Sequence, residues 1–438
     1  MYVADSRGTP APAVTTEPAV APGIRPGRRA ALAPTVLALG TVSLITDVSS
    51  EMVTAVLPLY LVAGLGLSPL GFGLLDGLYN GVSALVRLTG GHLGDRWGRH
   101  KLLAGLGYGL SALCKPLLLL AHTLPAIGAV LALDRTGKGL RTAPRDALIS
   151  LASTPEDRGR SFGAHRAMDT AGALIGPVLA FMILRGAADG YDAVFTVSSC
   201  VAALGVLVLV LFVPRRTSAG PDAAADAAPA NRAGEGPRLR ASLYLLRRPA
   251  LRRISLCALL LGLCTVSDAF VFLLLQRTTG LADRWFALLP LGTAAAFFLL
   301  ALPLGRFADR IGRRRVFLGG HLALLLAYGL LLTGAEQPAL PYAVLLLHGA
   351  FYAATDGVLM AAAADTVPEE HRGAGLALVQ TGQALARFVC SLAFGAAWTA
   401  WGARPALIAA AVLLAAATAV CARLRPDDAE PAAATATR

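Results

Sequence analysis

Residues 90–101 read GGHLGDRWGRHK and residues 304–315 read LGRFADRIGRRR. Asp95, Gly98 and Arg99 of the first stretch recur as Asp309, Gly312 and Arg313 of the second. At the same separation, Arg158-Gly159 in STPEDRGRSFG recurs as Arg372-Gly373 in TVPEEHRGAGLA. Loops that repeat in register across a chain mark a duplicated unit.

Working outward, each loop is flanked by apolar sequence. Of 438 residues 55% are hydrophobic and only 15% charged, with mean hydropathy +0.62; a soluble globular chain averages about 25% charged. A helix crossing about 30 Å of hydrocarbon needs about 20 apolar residues. Twelve runs of that length occur, six before and six after a polar segment. The expected fold is an all-α membrane protein of twelve transmembrane helices in two pseudo-symmetric six-helix bundles. Its parts are a disordered Pro/Ala-rich cytoplasmic tail (1–34), a first bundle (35–213), a cytoplasmic linker (214–250), a second bundle (251–424) and a cytoplasmic tail (425–438). The tail lacks the apolar core of a signal peptide. Within the linker, SLYLLRRPALRR suits a short amphipathic helix at the membrane surface.

The formal net charge of +12 raises the question of nucleic acid, and the placement of the charges answers it. Only Arg185, Arg277, Arg284 and Arg404 fall in connections on one side. Arg87, Lys115, Arg135, Lys138 and Arg387 fall within spans, and every other basic residue lies in the tails, linker and loops of the opposite side. By the positive-inside rule both termini are cytoplasmic, so the basicity speaks for a bilayer and against nucleic acid. The arginine bias over lysine points to a GC-rich bacterial genome, hence a bacterial plasma (inner) membrane. Six cysteines (Cys114, Cys200, Cys257, Cys264, Cys390, Cys421) all lie in apolar runs without metal-ligand spacing, so neither disulfides, a metal nor a cofactor is expected.

Through these motifs, positions 35–424 resemble the major facilitator superfamily of secondary transporters. Its loop signature G-x-L-x-D-R-x-G-R-[KR] matches Gly91, Leu93, Asp95, Arg96, Gly98 and Arg99, with His100 at the last basic position. The second copy has Gly305, Phe307 in place of leucine, Asp309, Arg310, Gly312, Arg313 and Arg314. The helix 4 signature fits Arg135 and Gly139, with Lys138 where the family often has an amide. The helix 5 antiporter signature fits Gly172, Gly176 and Pro177 but ends in Ala180. TDVSSEM (46–52), GKGLRTAPRDAL, FGAHRAMDTAGALIGP and SDAF resemble a bacterial subgroup of efflux permeases. The resemblance implies that helices 1, 4, 7 and 10 line a central cavity. It also implies that Gly91, Asp95, Arg96, Gly98 and Arg99, with Asp309, Arg310, Gly312 and Arg313, form gating loops, Asp95 sitting near the start of helix 11 around Gly373–Gly375.

An ionisable group at mid-membrane costs about 2.5–3.5 kcal/mol on insertion scales and therefore faces a cavity or a partner. Asp47 and Glu51 in span 1, Asp134, Arg135 and Lys138 in span 4, Asp268 in span 7 and Asp356 in span 10 are the candidates for proton coupling and substrate contact. In span 1, Ser43, Asp47, Ser50 and Thr54 form a polar stripe beside Glu51. The competing reading is a structural network tying span 1 to the cations of span 4. Arg135 has its own bland alternative, an ion pair with Asp134 or a span 1 carboxylate that only permits burial. Asp268 and Asp356 have no cation adjacent in sequence. His165 and Asp169 suit a proton relay or, as the preferred reading, an interfacial hydrogen-bonded pair at the inner end of span 5; Lys115 and Arg387 suit snorkelling or pairing within a bundle. Gly172, Gly176 and Pro177 have a packing reading too, since small residues let helices approach and proline kinks them.

The leading expectation is a monomeric proton-coupled exporter of a small amphipathic drug or metabolite. A symporter importing a metabolite is the alternative, and a non-transporting sensor is disfavoured because no polar segment is long enough to signal. Enzyme chemistry is not expected: GKG at 137–139 lacks the flanking glycine of a phosphate loop.

Overall fold

The structure, a computed structural model, describes residues 32–79, 81–82, 86, 100–154, 157–187, 190–214, 244–334, 337–367 and 372–424. The first copy of the loop signature (Gly91, Asp95, Arg96, Gly98, Arg99), most of the linker and both tails lie outside the described residues. Residues from Ala33 onward make one compact unit, which holds every described helix.

The chain is helical throughout its described length. The helices are α1 (Pro34–Gly64), α2 (described at 69–79, 81–82 and 86), α3 (His100–Leu120), α4 (Leu124–Leu151), α5 (Arg158–Gly186), α6 (Gly190–Phe212), α7 (Pro249–Thr279), α8 (Asp283–Ile311), α9 (Arg313–Thr333), α10 (Leu340–Asp365), α11 (Arg372–Trp401) and α12 (Ala403–Arg423). Ten of them are long and apolar enough to cross a membrane among the described residues. α4 misses that measure because of its charges, and α2 is described only in part. Proline in the first turn starts α1, α4, α7 and α10, where its missing N–H strands nothing. Glycines in the left-handed region close α7 (Gly280) and α9 (Gly334). Gly312, with φ 100°, is the whole connection between α8 and α9, a conformation a side chain would strain.

Helix pairs repeat between the halves. α1 packs on α5 and α6, and α3 on α4 and α6; correspondingly α7 packs on α11 and α12, and α9 on α10 and α12. The duplication read in the loops is thus also a duplication of packing. Large apolar side chains such as Leu113 (64% exposed), Leu299 (73%) and Val412 (61%) point outward, as a lipid-facing surface requires.

Three expectations need correction. The first apolar run of the second bundle, expected as a single span, is not one continuous helix: α7 breaks at Thr265–Ser267. The freed groups find partners, Val266 N–H donating to Tyr328 Oη at 2.9 Å and Cys390 Sγ to the Thr265 carbonyl at 3.2 Å, which is what permits irregular backbone at this depth. α4 continues to Leu151, so Arg141 and Arg145, which the sequence places among the loop charges, are inside the bundle. The segment before α7 is a single 3-10 turn, Leu245–Arg247, running directly into Pro249 rather than a separate surface helix.

Candidate functional site

α1 and α4 lie antiparallel and match polar residues rung by rung. Ser43 accepts from Arg145 Nη1 at 3.4 Å, Asp47 from Arg141 Nη2 at 3.4 Å, and Glu51 Oε1 lies 3.9 Å from Lys138 Nζ. Thr54 reaches the Tyr79 hydroxyl at 3.3 Å, and the Arg135 guanidinium covers the Tyr79 ring at 3.9 Å. Steps of four on α1 and three or four on α4 each keep one helical face, so the ladder is a product of spacing. The lower rungs are closed off: Tyr108 shares its hydroxyl with Ser43 (3.2 Å) and lies under Arg141 (4.4 Å), and His165 Nε2 meets Ser43 at 2.9 Å. His165 therefore serves Ser43, whereas Asp169 lies 3.8 Å from Arg145; the expected His165–Asp169 pair is replaced by two contacts to the ladder.

Asp134 belongs to a different cluster. It accepts from Lys115 Nζ at 3.1 Å and from Arg135 Nη2 at 2.6 Å, all three side chains being at most 7% exposed. The approach of α3 to α4 comes from Gly107 and Gly137, where a Cβ would fall 2.7–2.8 Å from the opposite carbonyl. Glycine lets the backbones close, and that closure carries Lys115 to Asp134.

Between the halves is a cavity of about 290 Å³. Glu51, Asp76, Tyr79, Asp268, Tyr352 and Arg387 supply its polar wall, and Phe72, Phe272 and Phe286 are among its apolar lining. Asp268 is the first residue of the second half of α7, where free amide groups favour a carboxylate. Tyr352 donates to it at 2.5 Å and His348 Nε2 lies 3.3 Å away, so it has a neighbouring basic group that its sequence context did not reveal. Asp356 is exposed, one turn beyond Tyr352, and is not part of this wall.

The cavity is roofed at the end carrying the α1–α2 connection. Leu70 N–H donates to Thr399 at 2.9 Å and Ser391 Oγ to Asp76 at 2.6 Å, joining α2 to α11. Phe72 meets Phe270 edge-on at 4.9 Å and Phe181 meets Trp285 at 4.9 Å. The backbones touch because of glycine: a Cβ on Gly395 would lie 3.2 Å from Leu70 Cα, and one on Gly73 3.3 Å from Gly395 Cα.

At the opposite end, the second loop copy pairs within its own half. Arg313 joins Asp365 at the end of α10 and lies 4.0 Å from Asp309, which is 71% exposed; Arg314 donates to the Cys421 and Ala422 carbonyls at 2.7 and 2.8 Å, capping α12. Arg310 is exposed. The α5 glycines seat that helix on α1: a Cβ on Gly176 would lie 2.8 Å from the Val48 carbonyl and 2.9 Å from Glu51 Cβ, with Gly172 against Leu44 and Pro177 buried beside them.

Of the seven sequence candidates, Glu51 and Asp268 line the cavity, Asp47 and Lys138 belong to the ladder, Asp134 and Arg135 to the buried cluster, and Asp356 stands apart. Arg135 faces Asp134, not a carboxylate of α1. Asp76, Tyr79, Arg141, Arg145, His348 and Tyr352 were missed. Asp76 in LLDGLYNG is an ionisable residue inside an apolar run and satisfies the rule that flagged the others. The rest carry no signal without their partners.

The model of the Major Facilitator Superfamily matches residues 39–301 and 286–438. An uncharacterized MFS-type transporter of Methanocaldococcus jannaschii is 29% identical over 377 residues, 84% of this chain and 89% of its own length. The multidrug resistance protein MdtH of Photorhabdus laumondii is 31% identical over 176 residues, 37% of this chain and 40% of its own. Among solved structures, the nucleoside transporter NupG superposes with a TM-score of 0.74 at 13% identity, over 89% of this chain and 100% of that one, a likeness of fold.

Proposed function

The chain belongs to the Major Facilitator Superfamily, and we propose that it exports a small amphipathic drug or metabolite in exchange for protons. The observation that carries this reading is the meeting of Glu51 and Asp268 across one cavity roofed at one end. Glu51 is also the last charged rung of the α1–α4 ladder. Its pairing with Lys138 is long, at 3.9 Å, and both side chains are partly exposed, so the rung opens with little loss. A carboxylate left without its cation in the membrane interior is neutralised by a proton. Separation of α1 from α4 on one side of the cycle would thus load Glu51 or Asp47, and re-formation of the rungs would release the proton. Differential proton affinity between two states is what coupling needs.

Export is favoured by the Gly172, Gly176 and Pro177 motif of α5 and by the partial likeness to a protein named for multidrug resistance. The charge asymmetry supports cytoplasmic termini in a bacterial inner membrane, with the roofed end outside. The second loop copy supports a gate at the cytoplasmic end, where Arg313 pairs with Asp309 and Asp365 within its own half. The functional unit is proposed to be a monomer of two bundles, 35–213 and 251–424, acting on a small molecule and protons.

Proteoliposomes under an imposed pH gradient test this. Candidate compounds come from profiling a deletion strain against an overexpressor, and compound-induced proton flux is then recorded. Glu51→Gln should abolish proton-driven accumulation while exchange persists. Normal coupled flux in the Asp47→Asn/Glu51→Gln variant would refute the assignment, and flux of compound with the proton, not against it, would reverse the direction.

A further inference from the structure

His348 is 1% exposed and has no part in the coupling proposed for Asp47 and Glu51. It stands on α10 with both ring nitrogens occupied: Nε2 lies 3.3 Å from Asp268 Oδ1 and Nδ1 lies 3.3 Å from the Thr293 hydroxyl on α8. The packing that creates this is specific. Gly349 follows His348, and a Cβ there would lie 2.7 Å from the Thr293 carbonyl and 2.8 Å from Phe297 N, so only a glycine draws α10 close enough to α8. Phe272, Phe351 and Tyr352 surround the imidazole with aromatic rings.

A buried histidine with these two partners is satisfied in either charge state. As the neutral ring, Nε2–H donates to Asp268 and Nδ1 accepts from the Thr293 hydroxyl. As the imidazolium, Nδ1–H donates and the hydroxyl turns to accept. The hydroxyl rotor removes the usual penalty of stranding a buried polar atom when a proton arrives. Among the described residues, the charges facing the dyad are those of Arg387 on α11, Asp76 on α2 and Glu51 on α1. The other titratable groups described around it are Tyr352 and Asp356 on α10, Tyr328 and His321 on α9, Cys390 on α11 and Cys264 on α7. Glu51 is matched by Lys138.

We propose that Asp268 and His348 form a second proton site, in the other half of the molecule from Asp47 and Glu51. A proton entering from the cavity binds Asp268, which lines it; the neutral ring in its other tautomer, with Nδ1–H donating to the Thr293 hydroxyl, then takes that proton on Nε2. Asp268 is left as the carboxylate, and release retraces the path. The use of that proton in transport rests on the proposed function; its existence does not.

The test counts protons and needs no transported compound. Purified full-length protein is titrated between pH 8 and pH 5 with an indicator dye, and uptake per molecule is compared between variants. Asp268→Asn/His348→Asn should take up one proton fewer than the wild type, and Asp47→Asn/Glu51→Gln should keep the proton of the dyad. Equal uptake by wild type and the first double variant overturns the inference. Should that variant fail to fold, wild-type protein carrying nitrogen-15 histidine decides the question by magnetic resonance. A His348 signal, identified by its loss in His348→Gln, should move from neutral to cationic within this range. A signal that stays neutral overturns the proposal, while loss of coupled flux in Glu51→Gln alone bears only on the first site.

Discussion

Asp134→Asn and Glu51→Gln each remove one negative charge from the same half, yet the structure separates their effects. Asp134 is buried and holds two cations, Lys115 at 3.1 Å and Arg135 at 2.6 Å. Asparagine there keeps the shape and leaves two buried positive charges without a counter-ion. Breaking a buried pair in this way costs about 3–5 kcal/mol, or about a hundred- to several-thousand-fold in the ratio of folded to unfolded protein. Glu51 meets Lys138 at 3.9 Å with 28% and 39% of the side chains exposed, and a pair so open contributes about 0–1 kcal/mol. Unfolding in mixed detergent, followed by tryptophan fluorescence and gel filtration, therefore should show a large loss for Asp134→Asn and little for Glu51→Gln, while proton-driven accumulation is lost in both. Replacing the whole cluster, Lys115→Met with Asp134→Leu and Arg135→Met, should restore stability, because apolar groups of similar volume remove the burial of charge altogether. If Asp134→Asn stays within about 1 kcal/mol of wild type by the same assay, the division into a structural cluster and a functional ladder is wrong.

Gly176→Ala forces a methyl to 2.8–3.0 Å from the backbone of Val48 and Met52 and should cost about 1–3 kcal/mol by overpacking; Gly163→Ala, which lies within the same helix and meets nothing within 4 Å, is the control and should stabilise by up to about 1 kcal/mol in the same unfolding assay. Cysteines at Leu70 and Thr399, whose backbone and side chain are hydrogen-bonded across the roof, should crosslink in a background lacking the native cysteines. The crosslink should arrest transport until it is reduced, and crosslinked protein that still transports would show that the roof does not open. Cysteine at Ala225 should react only with reagent on the cytoplasmic side and cysteine at Ala282 only from outside; the opposite pattern would invert the proposed orientation.

Much of this architecture is legible in the chain because the bilayer imposes a length. About 20 apolar residues per crossing made the helices countable, and Asp309, Gly312 and Arg313 echoing Asp95, Gly98 and Arg99 exposed the duplication. The same rule pointed to Glu51 and Asp268, since an ionisable residue in such a run is costly unless something receives it. What receives it was not legible. Arg141 looked like a loop cation because α4 is polar enough at GKGLRTAPRDAL to read as its own end, and only the continuing helix shows it facing Asp47. His348 reads as one histidine in an apolar run until Gly349 brings α10 against α8 and α7 breaks at Thr265–Ser267 to set Asp268 beside it. Length and hydropathy act within one helix and are written in consecutive residues. The pairing of charges depends on the height and rotation of helices distant in sequence, which backbone contacts at Gly107, Gly176 and Gly349 fix only once the bundles have packed.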